Sequence, residues 1–276
     1  MKLHSVVFSP TGGSAKVVES VVAGIMDVVS CEKVTLDVTS EQILNGELCK
    51  DDLVVIATPV YGGKMPLVAK ERIKGLCGNG ALCILVTVYG NRAFEGALCD
   101  MADMARTMGL VTIAAGAFVG EHTYSTAIRP IAVGRPDKAD LEEAKIFGRA
   151  VGESVVSGCC QEVDVSVLKD EPIPESSLAN FRNFVKEYQK QQTETPIQYL
   201  PEVDTDLCCR CGKCVEECPT SAIAPDCISV DAGKCIKCCA CVKSCPMTAR
   251  SFYTPFAKVL SENFSFRKQP VWMVGK

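Results

Sequence analysis

Cysteine is the residue type that most strongly indicates what chemistry this chain can perform. The chain has 276 residues and 18 cysteines, and eleven of these cysteines fall between Cys208 and Cys245. Residues 208–218 are CCRCGKCVEEC, residues 235–245 are CIKCCACVKSC, and a proline follows each run. Both runs therefore contain the spacing C-x2-C-x2-C-x3-C-P, and the second run begins 27 residues after the first.

The repeated spacing predicts two [4Fe–4S] clusters. Three thiolates within seven residues can wrap one corner of a cubic cluster and leave its fourth iron to a distant ligand. In two-cluster ferredoxins, the fourth cysteine of each run binds the other cluster. The predicted ligands are therefore Cys208, Cys211, Cys214 and Cys245 for the first cluster, and Cys218, Cys235, Cys238 and Cys241 for the second. With all eight positions present, the segment resembles bacterial-type 2[4Fe–4S] ferredoxins.

Two other interpretations of the cysteine runs stay open. Pairs of C-x2-C motifs also build structural zinc sites, although zinc does not need the duplicated run. The clusters could also serve a purely structural purpose. Cys209, Cys227 and Cys239 lie in the same segment but have no place in the pattern. The seven cysteines of the first 160 residues are scattered, which is typical of small buried hydrophobic side chains.

Composition and charge exclude several classes of function. The formal net charge is −4, and the chain shows no basic stripe, so we expect no nucleic-acid partner. No stretch approaches the ~18 uninterrupted apolar residues of a membrane span, and residues 1–10 lack the apolar core of a signal peptide. We therefore expect a cytoplasmic, reducing compartment, where clustered thiols bind metals rather than form disulfides. The sequence indicates no oligomeric state.

The first 157 residues alternate between strand and helix patterns. Strands are predicted at 3–8, 33–38, 53–58, 81–88 and 111–119. Helices are predicted at 14–29, 40–48, 66–74, 93–108 and 137–156. This alternation predicts an α/β fold with a doubly wound, five-stranded parallel sheet. The shortness of the unit favours the flavodoxin-like strand order 2-1-3-4-5.

The chain is therefore divided into four predicted segments. The α/β unit covers residues 1–157, and a connector with one helix at 178–191 covers 158–200. A small α+β ferredoxin domain covers 201–250. The tail, 251–276, is rich in aromatic residues, and we expect it to pack back onto the body of the protein.

A candidate anion site follows the first predicted strand. The loop there contains Ser9, Thr11, Gly12, Gly13 and Ser14, and a helix begins in it. Exposed backbone N–H groups, hydroxyl donors and the helix dipole favour a phosphate at such a position. The loop lacks both G-x4-G-K-[ST] and G-x-G-x-x-G, so nucleotide hydrolysis and dinucleotide binding have no support. An ordinary capped helix after a tight turn is the alternative.

Two further loops leave neighbouring strands at the same predicted edge of the sheet, where open α/β sheets bind ligands. The second loop contains Thr58, Pro59, Tyr61, Gly62 and Gly63. The third loop consists of Tyr89, Gly90, Asn91 and Arg92. Each loop brings a tyrosine beside a glycine, and this combination suits stacking on a flat ring.

On these loops, residues 1–157 resemble the flavodoxin family. The resemblance implies that Ser9-Pro10-Thr11-Gly12-Gly13-Ser14 holds the phosphate of FMN, and that the second and third loops flank its isoalloxazine ring. The chain departs from many flavodoxins in two ways. Tyr61 stands where a tryptophan is common, and Asn91-Arg92 replaces a strongly acidic loop. A cation near the ring would stabilise reduced, anionic flavin.

The order of the two modules resembles ferredoxin–flavodoxin fusion proteins of anaerobic bacteria. The predicted function is electron transfer between two [4Fe–4S] clusters and FMN, with a redox protein or a small-molecule electron donor or acceptor as partner. One alternative is an FMN-dependent reductase of a small substrate, with a proton-transfer role for His122 after the fifth strand. Another is a flavin-free ferredoxin whose first domain serves as a docking scaffold.

Overall fold

The computed structural model describes residues 1–40 and 43–276, and the chain separates into two compact units. The first unit comprises Met1–Glu121, Gly134–Glu171 and Lys268–Lys276. The second comprises His122–Val133 and Pro172–Arg267. This division differs from the predicted one, because the connector 158–200 and the tail 251–276 are each shared between the two units.

A six-stranded sheet forms the centre of the first unit. Its strands are β1 (Lys2–Val7), β2 (Glu32–Asp37), β3 (Leu53–Pro59), β4 (Leu82–Tyr89), β5 (Val111–Val119) and β6 (Val271–Val274). They lie in the order β2-β1-β3-β4-β5-β6. The first five strands are mutually parallel, whereas β6 runs antiparallel to β5.

The sixth strand corrects the predicted count of five. Strand β5 is buried along almost its whole length, so as an edge strand it would leave unpaired backbone groups beside an apolar surface. The tail covers that edge, with Val271 opposite Ala117 and Val274 opposite Ala114. The ring of Trp272 packs against Phe147, with the ring centroids 5.5 Å apart.

Four helices accompany the sheet. They are α1 (Gly13–Met26), α2 (Leu67–Ile73), α3 (Ala97–Thr107) and α4 (Lys138–Ser157). Helices α1 and α4 approach closely, because a Cβ atom on Gly148 would stand only 2.0 Å from the carbonyl oxygen of Val21. One core cluster joins both helices to the strands, with Val17, Val55 and Phe147 among its buried members.

The helix predicted at 40–48 is not observed in the part of it that the structure describes. Residues 41 and 42 lie outside the described residues, and 43–48 contain no helix. Instead, the two-residue strand Gly46–Glu47 pairs in parallel with Leu76–Cys77. Gly46 adopts a φ of +154°, a conformation that is not helical and that glycine reaches without a steric penalty.

A buried ion pair fixes the start of α4 and the tail. The Arg135 guanidinium donates to both carboxylate oxygens of Asp140, with Nε at 2.7 Å from Oδ2. Arg135 Nη1 also donates to the carbonyl oxygen of Lys268 at 2.8 Å. Asp140 is 1% exposed and completes a capping box with Asp137. This cluster therefore couples the helix start to the segment that leads into β6.

The second unit contains two longer helices and the cysteine runs. The helices are α5 (Glu175–Glu194) and α6 (Pro255–Asn263), and aromatic side chains pack between them, with Phe184 and Phe256 at a centroid distance of 5.0 Å. The strands Glu202–Val203 and Arg250–Ser251 pair antiparallel and join the two ends of the cysteine module. Among the described residues, no helix is long and apolar enough to cross a membrane.

Substituting Asp140 tests the importance of the buried ion pair. We expect Asp140→Ala to lower the free energy of unfolding by about 3–5 kcal/mol, because it leaves the Arg135 charge buried without its partner. Asp103→Ala is the control, since Asp103 pairs with Arg106 on the exposed surface, where such pairs contribute less than about 1 kcal/mol. Urea unfolding followed by circular dichroism measures both; equal effects would contradict the expectation.

Candidate functional site

The two cysteine runs adopt the same local structure. Each ends in a short helix, Lys213–Glu216 in the first run and Ala240–Lys243 in the second. The residues that precede these helices, Gly212 and Cys239, are both left-handed, with φ of 78° and 61°. The left-handed pairs Arg210 and Lys237, and Ser221 and Thr248, repeat at the same offset. The sequence repeat is therefore also a repeat of backbone conformation.

Two cavities in the second unit are lined by the predicted ligand cysteines. One cavity is lined, among others, by Cys208, Cys211, Cys214 and Cys245. The other cavity is lined, among others, by Cys218, Cys235, Cys238 and Cys241. Each cavity thus brings together one predicted ligand set, including the fourth cysteine from the other run. We call them the first and the second cavity.

The thiols surround a volume rather than a point. Across residues 1–40 and 43–276, no group of three or more His, Cys, Asp or Glu side chains is arranged around a single metal ion. The arrangement fits a group of several atoms that presents separate irons to separate thiols, as a [4Fe–4S] cluster does. The three cysteines without a predicted role also line the cavities, with Cys209 and Cys227 at the first and Cys239 at the second.

Three of the predicted ligand thiols, those of Cys214, Cys238 and Cys241, are buried, and burial disfavours the charged thiolate in the absence of a cation. Burial raises the pKa of Cys238 to about 11 and the pKa of Cys241 to about 12. A coordinating metal deprotonates such thiols outright. The donor set therefore suits iron, which supplies positive charge at each thiolate.

Sequence reasoning missed a buried arginine at the first cavity. Arg250 is 4% exposed and lines this cavity. Its Nη2 donates to the carbonyl oxygen of Cys227 at 2.6 Å, while Nε and Nη1 have no hydrogen-bond partner among the described residues. A comparison of the two repeat copies could have found it, because the equivalent residue in the first copy is Ile223.

In the first unit, the predicted anion loop joins β1 to α1. Gly12 precedes the helix with a φ of +80°, and its N–H donates to the carbonyl oxygen of Ser9 at 3.1 Å. Ser9 Oγ accepts the N–H of Ala15 at 3.0 Å. Gly13 and Ser14 begin the helix, so their N–H groups have no intrahelical partner. Space is open at the loop, since a Cβ atom on Gly12 would meet nothing within 4 Å.

The second loop is a tight turn after β3. Tyr61 and Lys64 exchange backbone hydrogen bonds of 2.9 and 3.2 Å across Gly62 and Gly63, which are both left-handed. Tyr61 is half-buried. Thr58 and Pro59 end the strand; Thr58 is fully buried, and its carbonyl oxygen accepts the Thr87 hydroxyl at 3.3 Å.

The third loop differs from the expectation for its tyrosine. Tyr89 is 2% exposed and packs edge-on against Phe94, with the ring centroids 5.7 Å apart. It therefore presents no open ring face for stacking. Gly90 is half-buried and Asn91 is buried with a φ of +66°. The charge of Arg92 is paired with Glu95.

The three loops meet at one edge of the sheet. A Cβ atom on Gly63 of the second loop would lie 1.7 Å from Glu95 Oε2, just beyond the third loop. A Cβ atom on Gly13 of the first loop would lie 4.0 Å from Val88, which precedes Tyr89. All the predicted loop residues therefore lie in one region of the first unit, at the carboxyl ends of β1, β3 and β4.

Two residues from distant parts of the sequence hold the third loop. Lys268 is fully buried, and its Nζ donates to the carbonyl oxygen of Arg92 at 2.7 Å and lies 5.8 Å from the centre of the Tyr89 ring. The Asp170 carboxylate accepts the N–H groups of Phe94 and Glu95. No local pattern in the sequence marks either residue, because their partners lie about 75 residues or more away.

The two histidines lie in different units. His4 Nε2 lies 3.3 Å from Asp52 Oδ2, and that carboxylate also accepts the N–H of Cys49. His122 belongs to the second unit, whereas the three loops belong to the first. His122 Nδ1 accepts the N–H of Tyr124 at 3.0 Å, and its ring packs on the Tyr124 ring. His122 is therefore not among the residues that the three loops bring together.

A family match supports the prediction of an iron–sulfur cluster in the second unit. Residues 201–224 match the family described as 4Fe-4S binding domain, a segment that contains the first cysteine run. The second run lies outside the matched residues. No curated protein sequence matched the chain.

Solved structures of flavodoxins and flavodiiron proteins resemble part of the chain. An archaeal flavodoxin shares 16% identity with a TM-score of 0.38 over 56% of this chain and 99% of its own. A Streptococcus pneumoniae TIGR4 flavodoxin shares 17% identity with a TM-score of 0.38, and the match covers 56% of this chain and 99% of the flavodoxin. The Giardia intestinalis flavodiiron protein shares 17% identity with a TM-score of 0.37 over 56% of this chain. The match covers 36% of the flavodiiron protein, so the chain spans about a third of its length. At these TM-scores the likenesses carry no argument of their own.

The chain therefore joins two kinds of module. Its first unit is an α/β unit whose five parallel strands lie in the order 2-1-3-4-5, and its second contains a segment that matches the 4Fe-4S binding domain family.

Proposed function

We propose that this chain is an electron-transfer iron–sulfur flavoprotein that carries two [4Fe–4S] clusters and FMN. The observation that carries the proposal is the pair of cavities, each lined by four cysteines at ligand spacing. The fourth cysteine of each set comes from the other run, which is the exchange expected for two neighbouring clusters. The clusters would then pass electrons to each other within the second unit.

The open space in front of the anion loop supports FMN as the second cofactor. The N–H groups of Gly13 and Ser14 have no intrahelical acceptor and can donate to an anion, such as the phosphate of FMN. Tyr61, which is half-buried, supplies an aromatic side chain in the second loop at the same edge of the sheet. When bound, FMN would exchange electrons in pairs or singly, whereas each cluster passes one electron at a time. The chain would thus link one-electron and two-electron carriers.

Cofactor content and electron transfer test this function. Anaerobically purified protein should contain about eight irons and eight sulfides per chain, with FMN released on denaturation. Reduced methyl viologen should reduce the flavin faster in the wild type than in a Cys214→Ser/Cys238→Ser double variant that retains FMN. Iron without flavin would favour the docking scaffold, bound zinc would exclude the clusters, and turnover of a small substrate in steady state would favour a reductase.

The ligand assignment predicts different roles for two buried cysteines of the first cavity. Cys214 occupies a ligand position, whereas Cys227 lines the same cavity outside the pattern. We expect Cys214→Ser to lower the iron and sulfide content substantially, because serine binds iron less well than a thiolate. Cys227→Ser should leave both contents unchanged. Colorimetric iron and sulfide assays measure the difference, and equal loss in both variants would contradict the assignment.

Two glycines with matched conformations test the FMN phosphate site. Gly12 and Gly158 have φ of +80° and +72°, and a Cβ atom would meet nothing within 4 Å at either one. Alanine at each position should cost about 1–2 kcal/mol of backbone strain. Only Gly12→Ala places a methyl group in the space proposed for the phosphate, so we expect it alone to weaken FMN binding, by about tenfold or more.

Fluorescence titration of apoprotein with FMN measures this affinity, and the iron content serves as a check that the second unit is intact. Equal FMN affinity in the two variants would remove the anion loop from the proposed site.

A further inference from the structure

The cysteine repeat is asymmetric at one buried position. The first run is followed by Pro-Thr-Ser-Ala-Ile and the second by Pro-Met-Thr-Ala-Arg, so Ile223 and Arg250 are equivalent residues. Both are buried, at 5% and 4% exposure. Ile223 lines the second cavity, and Arg250 lines the first. One cavity therefore has an aliphatic side chain where the other has a permanently charged guanidinium.

The charge of Arg250 is not balanced by its observed hydrogen bond. Nη2 donates to the carbonyl oxygen of Cys227, and a carbonyl carries no net charge. Nε and Nη1 are buried and have no hydrogen-bond partner within the described part of the chain. Burying a charge and its N–H donors in this way is costly unless an anion lies beside them. A cluster held by four thiolates is such an anion, and its sulfur atoms accept hydrogen bonds.

The guanidinium acts more strongly on the first cavity than on the second. Arg250 lines the first cavity and is not among the residues that line the second. Because electrostatic interactions fall with separation, its charge is felt more strongly at the first cavity.

We propose that Arg250 donates hydrogen bonds from Nε and Nη1 to sulfur atoms of the cluster in the first cavity, and so raises its reduction potential above that of the second cluster. Reduction adds negative charge to a cluster, and a buried cation with N–H donors stabilises that charge. The second cavity has Ile223 at the equivalent position and lacks this stabilisation. The inference rests on the proposed function, because it requires both clusters.

A redox titration of the full-length protein, followed by electron paramagnetic resonance, tests the proposal. In Arg250→Met, one of the two midpoint potentials should fall by at least about 59 mV, which corresponds to a tenfold change in the reduction equilibrium of a one-electron couple. The other midpoint should move less. Arg210→Gln is the matched control, since Arg210 lies between the predicted ligands Cys208 and Cys211 but is exposed. Solvent screens its charge, so its shift should be smaller.

Iron and sulfide contents, measured on every variant, separate this inference from the proposed function. A wild type without clusters would overturn the proposed function. If Arg250→Met loses iron, Arg250→Gln removes the charge but retains an N–H donor, and its midpoint should shift in the same direction by less. Unchanged midpoints with full iron content would overturn the role of Arg250. Equal shifts in the Arg210 and Arg250 variants, or loss of iron from both Arg250 variants, would also overturn it.

Discussion

Each cavity of the second unit depends on side chains from both cysteine runs. Cys245, at the end of the second run, lines the first cavity, and Cys218, at the end of the first run, lines the second. Neither run can therefore build its cavity alone, and the two must fold against each other. The short pairing of Glu202–Val203 with Arg250–Ser251 holds the ends of the module together. A segment of this size has little apolar surface to bury, so the shared cavities are its main organising constraint.

The candidate site of the first unit is built differently, because it is assembled from three loops. Parallel strands bring the ends of β1, β3 and β4 to one edge, and this alone places the three loops together. Their detailed conformation depends on residues that arrive from far away in the sequence. Lys268 binds the carbonyl oxygen of Arg92, Asp170 binds two N–H groups just beyond it, and Arg135 anchors the chain at Lys268. The same tail segment then continues into β6, so the segment that closes the sheet edge also supports the third loop through Lys268.

The sequence predicts those features that depend on local pattern. Four of the five parallel strands follow from apolar runs, β2 follows from an alternating pattern, and the two cysteine sets follow from spacing. Strand β6 was missed because its apolar run has only four residues and its pairing partners lie more than 150 positions earlier in the chain. The predicted helix at 40–48 failed over its described part because Gly46 leaves the helical region. Lys268 was missed because burial of a charged side chain is a tertiary property that composition and periodicity do not encode, whereas Arg250 is marked only by its difference from Ile223 in the other repeat copy.

The difference in charge between the two cavities, with Arg250 at the first and Ile223 at the second, affects how the proposed function would work. Two clusters of equal potential would share a single electron, and neither would have a preferred order of reduction. With Arg250 beside the first cavity only, a one-electron donor would fill the first cluster before the second. The second electron would then occupy the cluster of lower potential, which has the greater tendency to give it up. A single difference between the two copies of a duplicated motif would be sufficient to create this order.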